Sequence, residues 1–595
     1  MLDRNYLNYG LKFFSVLLFL TIFRVVLVKY NEAVFFDFSF YHYCVGFLFD
    51  VITCALFYLP YIVCSFLPIT KFRSVQSTVS SVLFVATSAL LFLLNTIDIA
   101  YVGFVKKRIT ADFLMYVCFD SESDYSIGLI FMEFWWLLLI LVSVLAAIVY
   151  IEKKIFIVRQ GIASWKSWVS YLFLIFIFVL VGRGGFTLRP IGIIESYKWV
   201  KNENAVGVLN SGFTFIKTIS SIDHEVVEYM SREEEKRLFN PFVKTVPRKI
   251  LTEKNNVVFI VLESFSSYYT GPGCSKSYSP FLDSILLESM YFENGLSNAQ
   301  TSIDALPILL SSVPNFSSQS LLLSGYQLNG LPDYLSPHGY VSLFFHGAKN
   351  GSMRFDSFSK SIGFDNYFGL NEYPYSAHYD GSWGIWDHHF LPWTVTNMNH
   401  AREPFLSCIY TLSSHHPFKV PLEFEYLKGG PDKICKSIQY TDRALQLFWE
   451  KAKREAWFDR TLFVFCADHT GPTKQKKNMK LENRYRIPIA FYHPKVNLSE
   501  FSSDHSFQQL DILPTLLEIL NIEEEIYTYG NSRFDTKKKL RFNFSDGRFY
   551  IFSEGRTPEL YLLGDDMRTR EHKILSAMYQ RFQYDLLENK MKWKY

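Results

Sequence analysis

The sequence lacks the marks of a disulfide-stabilised or nucleic-acid-binding protein. Its eight cysteines include no Cys-x-x-Cys pair, so neither a zinc knuckle nor a disulfide framework is indicated, although one disulfide between Cys274 and Cys435 stays open. The formal net charge is only +3 over 595 residues, and no basic run is interleaved with aromatic residues. We therefore expect no nucleic-acid partner.

Apolar residues are what the sequence has in excess, at 49% of the chain, and they concentrate in its first third. Five apolar stretches there have about the length needed to cross the hydrocarbon core of a membrane. No small-residue cleavage site follows the first of them, which favours an uncleaved transmembrane helix over a signal peptide. The predicted spans are residues 9–28, 43–67, 79–103, 128–150 and 167–183.

The orientation of these spans is predicted from the positive charges in the short loops. An N-terminus inside the cell places most of them on the cytoplasmic side, and an odd number of spans then places the rest of the chain outside the cytoplasm. We therefore expect a multi-pass protein of the cell (inner) membrane with an extracytoplasmic domain. The cytoplasmic charges are Arg4, Lys12, Lys71, Arg73, Lys153, Lys154, Arg159 and Lys166, against Lys29 and Lys106 to Arg108 on the other side.

The remaining chain divides into an amphipathic tether, residues 184–250, and a globular domain, residues 251–595, after the transmembrane domain of residues 1–183. In the globular part, apolar strand-like runs alternate with helical patterns, which is typical of an α/β domain with a largely parallel sheet. The predicted strands are 256–262, 340–346, 405–412, 461–467 and 487–492, and the predicted helices are 279–290, 301–312, 353–363 and 434–458.

Two of these strands end on groups that bind metals. Glu263 follows the apolar run 256–262, and Asp468 and His469 follow the run 461–467. Thr301 lies at the start of a predicted helix, where backbone N–H groups favour an anion such as phosphate. Each feature alone is commonly a solvated strand end or a helix cap. Together they predict a site for a hard divalent ion that activates a hydroxyl.

Five motifs then resemble, in order, the signatures of lipoteichoic acid synthase-like proteins, which are membrane-anchored members of the alkaline phosphatase and sulfatase superfamily. The resemblance covers roughly the second half of the chain by motif and the first half by layout. The motifs are Val-Leu-Glu-Ser at 261–264, Gln-Thr-Ser-Ile-Asp-Ala-Leu-Pro at 300–307, Ser-Ser-His-His-Pro-Phe at 413–418, Ala-Asp-His-Thr-Gly at 467–471 and Gln-Leu-Asp-Ile-Leu-Pro-Thr-Leu-Leu at 509–517.

The resemblance implies one divalent ion, with Mn²⁺ favoured and Zn²⁺ or Mg²⁺ as alternatives. Its ligands would be Glu263, Thr301, Asp468 and His469, and Thr301 would be the nucleophile that forms a phospho-threonine intermediate. Ser302 is the alternative nucleophile if the register differs by one residue.

Other residues are expected to contact the substrate. By its place in the motif, His415 is expected to contact the substrate phosphate, and His416 is the second candidate. His346 ends a predicted strand, and Arg354 could pair with a phosphate through two hydrogen bonds. Trp383, in a loop at 380–387 that resembles one shaping the family's substrate cleft, would stack on a headgroup or pack in the core.

The predicted function is transfer of a phosphoglycerol-type headgroup from a membrane phospholipid to a glycolipid or envelope glycan. A phosphoethanolamine transferase, a phosphodiesterase and a sulfatase-type hydrolase are the enzymatic alternatives, and a lipid- or glycan-binding membrane protein or a transporter is the non-enzymatic one. Thr-Ser-Ile-Asp-Ala at 301–305 lacks the Cys/Ser-x-Pro-x-Arg pattern of sulfatases, which counts against sulfate ester hydrolysis.

Overall fold

The chain forms two compact units, Met1–Glu225 with Leu587–Asn589, and Val226–Leu586 with Lys590–Tyr595. Several loop residues used to predict the orientation, including Lys71, Lys106, Lys107 and Arg159, lie outside the described residues. The computed structural model describes residues 2–32, 35, 37–67, 73–105, 108–111, 123–155, 165–186, 190–200, 204–219, 226–272, 274, 276–317, 320–502, 507–535, 540–545, 548–553, 556–563, 565 and 567–592.

The first unit is helical, as predicted. In its described part, four helices are long and apolar enough to span a membrane: Asn8–Tyr30, Phe40–Phe57, Ser74–Gly103 and Trp135–Lys154. The fifth predicted span forms a shorter apolar helix, Trp168–Arg183. Among the described residues of this unit, the α-helices are Leu2–Tyr30, Phe40–Phe57, Leu59–Phe66, Arg73–Val105, Ser123–Lys154, Trp165–Arg183, Asn204–Val208 and Ser211–Thr218.

Charged side chains inside this unit are paired, because an isolated charge among apolar helices is costly. Arg24 Nη2 lies 2.6 Å from Asp50 Oδ1, and Arg108 Nη1 lies 3.4 Å from Asp98 Oδ2. Asn210 Nδ2 also donates to Asp50 Oδ1 at 2.7 Å. Part of the segment predicted as a tether is therefore packed within the first unit.

The second unit is built on a mostly parallel seven-stranded sheet, which confirms the predicted fold class. In chain order its strands are β1 Asn256–Leu262, β2 Met290–Phe292, β3 Val341–His346, β4 Asn366–Phe368, β5 Phe405–Tyr410, β6 Thr461–Ala467 and β7 Ile489–Tyr492. Their order across the sheet is β2-β7-β6-β1-β5-β3-β4, and β7 runs antiparallel to both of its neighbours. Every residue of β1, β5 and β6 is buried, as expected for parallel strands covered on both faces.

Helices and smaller strands surround this sheet. A strand Phe242–Lys244 pairs with Glu525–Tyr527, Gly295–Leu296 pairs with Phe507–Gln508, and Phe542–Ser545, Arg548–Ile551 and Glu559–Leu562 form an antiparallel sheet. Cys274 and Cys435 are both free cysteines. The helices of this unit are Arg232–Leu238, Pro280–Leu287, Ser302–Ser311, Leu321–Ser324, Leu331–Leu335, Phe355–Ser361, Asp387–Met398, Ile434–Ala452, Leu481–Arg484, Ile512–Ile519 and Arg570–Leu587.

Candidate active site

The strand register brings the predicted acidic groups together. Leu262 of β1 pairs with Ala467 of β6, so the next residues, Glu263 and Asp468, leave adjacent strands side by side. Both carboxylates are buried, with 1% and 0% exposure. The strand register therefore explains why the two residues meet. They lie at the carboxyl edge of the sheet, where ligands of α/β proteins bind.

A strained turn fixes Glu263 in place. Ser264 has a left-handed backbone with φ of 59°, which is uncommon for a residue with a side chain. In this conformation the Ser264 N–H donates to Asp468 Oδ1 at 2.7 Å, and Ser264 Oγ donates to Glu263 Oε1 at 2.6 Å. The turn therefore links the two carboxylates through one serine.

The hydroxyl that faces these groups belongs to Ser302 and not to Thr301. Ser302 Oγ donates to Glu263 Oε2 at 3.1 Å and lies 3.3 Å from His469 Nε2. Thr301 is exposed, and its Oγ1 donates to Asp304 Oδ2 at 2.8 Å. Thr301 has an extended backbone and precedes the helix, whereas Ser302 is its first residue, so the hydroxyl that faces the cluster lies one position after the predicted one.

Glu263, Ser302, Asp468 and His469 are called the strand-end cluster below. His469 Nδ1 lies 3.0 Å from the Thr470 carbonyl, which fixes the proton on Nδ1 and leaves the Nε2 lone pair facing inward. Nε2 lies 3.3 Å from Asp468 Oδ2 and 3.9 Å from Glu263 Oε1. Three acceptor atoms that converge in a buried place fit a bound cation.

The electrostatics of the cluster agree with that fit. Burial and the neighbouring Asp468 carboxylate raise the pKa of Glu263 to about 8. Burial disfavours the charged form of His469, but the carboxylates of Asp468 and Glu263 outweigh it and raise the pKa of this imidazole. Two carboxylates and one imidazole, with ligand atoms within 4.8 Å of one another, are a donor set for a divalent ion.

Two residues that sequence reasoning missed hold this cluster in position. The Tyr410 hydroxyl, at the end of β5, donates to Asp468 Oδ2 at 2.5 Å. Gln509 Nε2 donates to the carbonyls of Ala467 at 2.9 Å and Asp468 at 2.6 Å, while its Oε1 accepts the Asn298 N–H at 2.8 Å. The motif at 509–517 marked this segment, but nothing in it distinguished a buried glutamine that supports the site.

His346 and Arg354 come from the β3 side of the sheet edge. His346 pairs in register with Tyr410, is fully buried, and has its ring centroid 5.6 Å from that of Tyr410. Burial, with a smaller contribution from His415, lowers the pKa of His346 to about 3, so this imidazole is neutral. Arg354 is half-buried and precedes the helix Phe355–Ser361 with a left-handed φ of 61°.

His415 and Trp383 lie in ring contact, with centroids 4.2 Å apart. Trp383 Nε1 donates to the carbonyl of His416 at 2.6 Å, and the Trp383 backbone N–H donates to Asp380 Oδ1 at 2.8 Å. Burial lowers the pKa of His415, against a raising effect of Asp468. The His416 ring is exposed, so its backbone carbonyl is the part that the structure uses here.

Comparison with known proteins matches part of the second unit to a protein family. The sulfatase family model matches residues 255–522. Lipoteichoic acid synthase-like YvgJ of Bacillus subtilis is 24% identical over 309 residues, which cover 48% of this chain and 49% of that protein. Lipoteichoic acid synthase of Staphylococcus saprophyticus is 24% identical over 302 residues, 46% of each chain. The chain thus spans about half the length of the curated relatives it matches.

The fold is also found in a crystal structure. A protein of the alkaline phosphatase superfamily from Vibrio parahaemolyticus superposes with a TM-score of 0.51 at 18% sequence identity. The match covers 60% of this chain and 96% of the other. At this identity the likeness establishes the fold of the second unit.

Proposed function

We propose that the protein transfers a phosphoglycerol-type headgroup from a membrane phospholipid to an envelope acceptor, because residues 255–522 match the sulfatase family model and the chain is similar to lipoteichoic acid synthases. The single observation that carries the proposal is the position of Ser302 Oγ, 3.1 Å from Glu263 Oε2 and 3.3 Å from His469 Nε2. A hydroxyl placed against a carboxylate and an imidazole at a helix start is arranged for attack on phosphorus.

The chain's own residues account for each part of the transfer. Ser302 Oγ attacks the phosphorus of the donor, and the bond from phosphorus to the diacylglycerol oxygen breaks. The diacylglycerol leaves with a proton, and Ser302 carries the headgroup as a phosphodiester. An acceptor hydroxyl then attacks the same phosphorus, which releases the product and restores the serine.

A divalent ion fits the strand-end cluster, and we propose Mn²⁺, with Zn²⁺ and Mg²⁺ as alternatives. When bound, such an ion supplies positive charge that lowers the pKa of a hydroxyl and offsets charge on phosphoryl oxygens. Glu263, Asp468 and His469 would hold it, together with the Ser302 hydroxyl. His415, His346 and Arg354 are proposed to contact the substrate phosphate, and Trp383 to hold the His415 loop.

A matched pair of variants tests the nucleophile. Full-length protein is incubated with phosphatidylglycerol labelled in the headgroup, and transfer is measured for Ser302→Ala and Thr301→Ala. We expect a loss on the order of 10³-fold or more for Ser302→Ala, as for removal of a nucleophile. We expect a change within about tenfold for Thr301→Ala, because the Thr301 hydroxyl is exposed and donates to Asp304 instead of facing the cluster.

The same experiment distinguishes the alternatives. Mass spectrometry of the peptide spanning 300–314 should locate a glycerophosphoryl group on Ser302. Loss of transfer in Thr301→Ala alone would reassign attack to the threonine that the motif favours. Unchanged transfer in both variants would end the proposal of a covalent intermediate at this helix, and transfer only from phosphatidylethanolamine, or only to water, would identify the phosphoethanolamine transferase or the hydrolase.

We further propose that the second unit is extracytoplasmic. Four helices in the described residues are long enough to span a membrane. Because the proposal needs an odd number of spans, it requires the fifth apolar helix, Trp168–Arg183, to cross as well. Lys428→Cys, in a variant without the native cysteines, should react with a membrane-impermeant maleimide in intact cells. Reaction only after the cells are opened would place the domain in the cytoplasm.

A further inference from the structure

A second group of two imidazoles and a carboxylate shares no residue with the strand-end cluster. His388 and His389 occupy the first turn of the helix Asp387–Met398, and Glu423 lies in the short 3₁₀ turn Leu422–Phe424. One ligand atom from each of the three lies within 4.8 Å of the others. We call these three residues the helix-start cluster.

His388 is the most informative member. Its side chain is only 8% exposed, and its Nε2 is buried without a hydrogen-bond partner. Nε2 lies 2.7 Å from Glu423 Oε1, but in an orientation that does not make a hydrogen bond. A buried nitrogen that lies beside a carboxylate without a hydrogen bond needs an explanation, and an ion bound by both atoms provides one.

The other nitrogen of His388 has a defined partner. Nδ1 lies 2.5 Å from the Tyr440 hydroxyl, which also accepts the His388 backbone N–H at 3.2 Å. Tyr440 is also within hydrogen-bonding reach of the Ser413 side chain, so the Tyr440 hydroxyl takes part in more than one hydrogen bond. This arrangement allows Nδ1 to carry the proton and leaves the Nε2 lone pair for a metal, as in most histidine ligands.

His389 completes the group, and its ring is held from both sides. Its centroid lies 3.8 Å from that of His388 and 3.6 Å from that of His378. His378 itself is bonded to the Tyr373 hydroxyl through Nδ1 at 2.6 Å, so it serves as a stacking partner. Two of the three imidazole rings therefore remain as nitrogen ligands.

We propose that His388, His389 and Glu423 bind a divalent metal ion, for which zinc is the best match. Two imidazole nitrogens and one carboxylate oxygen, with a position left for water, form a common zinc ligand set. This site is separate from the one at the strand-end cluster, because the two sites share no ligand.

The ion would also fix the loop that carries His415. Asp387, next to His388, accepts the N–H groups of Leu412 at 3.0 Å and Ser413 at 2.9 Å, and Ser413 lies two residues before His415. Glu423 lies on the far side of the same loop. An ion joining the helix start to Glu423 therefore clamps residues 411–424 at both ends.

Zinc binding can be measured without reference to enzymatic activity. The full-length double variant Glu263→Gln, Asp468→Asn removes two ligands of the strand-end cluster and serves as the parent. After treatment with EDTA, incubation with ZnCl₂ and desalting, we expect about one zinc per chain by mass spectrometry, from three ligands and water. In this parent, Glu423→Gln and His389→Asn should each weaken zinc affinity at least about tenfold, measured by competition with a chelating dye.

The controls keep the result independent of folding and of the transfer reaction. Glu423 is 63% exposed, so its substitution is not expected to unfold the protein. The exposed His400, at the other end of the same helix, supplies His400→Asn as the matched histidine control, which should bind zinc as the parent does. A parent that binds no zinc, or a Glu423→Gln and a His389→Asn variant that both bind it with unchanged affinity, would overturn the proposal.

Discussion

The strand-end cluster and the helix-start cluster both combine imidazole with carboxylate, yet they are assembled differently. In the first, adjacent buried strands deliver Glu263 and Asp468 by register, and neither carboxylate is exposed. In the second, a helix start meets a short turn, and Glu423 is 63% exposed. The buried first cluster is suited to holding its ligand atoms in fixed positions, and the exposed Glu423 of the second is suited to reversible binding of an ion.

The largest effect is expected for Glu263→Gln, which tests the first half of this comparison. Both Glu263 oxygens accept serine hydroxyls, and an amide can accept through only one of its two atoms. We expect a loss of transfer on the order of 10³-fold, with weaker metal binding. The readouts are initial rates with labelled donor and metal content.

The control for Glu263→Gln is its thermal stability without metal. Burial raises the pKa of Glu263 to about 8, so the ionised side chain costs folding energy at pH values above its ordinary range. A neutral amide should leave the metal-free unfolding temperature unchanged or higher. A variant that is inactive because it is unfolded would instead melt well below the parent.

A smaller effect is expected for Tyr410→Phe. This change removes the hydroxyl that donates to Asp468 Oδ2 at 2.5 Å and leaves the ring in place. Loss of such a supporting partner commonly costs about 10 to 100-fold in metal affinity or activity. The defect should shrink as metal concentration rises, which titration of the transfer rate with Mn²⁺ would show; a defect independent of metal would contradict this role.

The same comparison shows what could be predicted from the sequence. β1 and β6 are continuous apolar runs, so their ends at Leu262 and Ala467 were predicted to the residue, and Glu263 and Asp468 with them. Choosing between Thr301 and Ser302 was beyond the pattern, because both residues start helices well and the exact first residue of the helix decides which hydroxyl faces the cluster.

The second cluster could not be predicted for a related reason. The helix Asp387–Met398 contains Pro392 and no regular apolar period, so no helix was predicted there. The three-residue strands β2 and β4 are also too short to show a period of two. Glu423 comes from a turn 34 positions after His389, a contact that exists only once the chain is folded.

A more modest effect is expected for Trp383→Phe, which tests whether the His415 loop depends on contacts beyond the helix-start cluster. The variant keeps an aromatic ring beside His415 but loses the Nε1 donor to the His416 carbonyl at 2.6 Å. One hydrogen bond is worth about 0.5 to 1.5 kcal/mol, so we expect a change of roughly 2 to 10-fold. The change should appear in KM for the phospholipid.

Trp457→Phe is the matched control, because Trp457 Nε1 donates to Asn399 Oδ1 at 2.7 Å, at the end of the helix away from His415. Its KM should equal that of the unmodified protein. Equal changes in both variants would show that Trp383 acts through general stability.

The smallest effect of zinc is expected at His493, whose ring nitrogens are both occupied, in contrast to His388. Its Nδ1 accepts the N–H groups of Lys495 and Val496, each at 3.1 Å, and its Nε2–H donates to Asn255 Oδ1 at 2.9 Å. These bonds require the neutral ring, and burial lowers the pKa of His493 to about 4. This histidine therefore has no lone pair for a metal, so zinc should not change the stability of the protein through His493.

Acid, unlike zinc, should change the stability of the protein through His493. Its pKa is lower in the folded chain than in the unfolded one, so its contribution is complete above about pH 6.5 and is lost as pH falls towards 4. Allowing for solvent screening, the loss is about 1 to 2 kcal/mol. His493→Asn keeps an acceptor for the two N–H groups, so the unfolding temperature of this variant should fall less steeply over that range than that of the unmodified protein or His400→Asn. Parallel curves for all three proteins would show that His493 is protonated as easily in the folded chain as in the unfolded one.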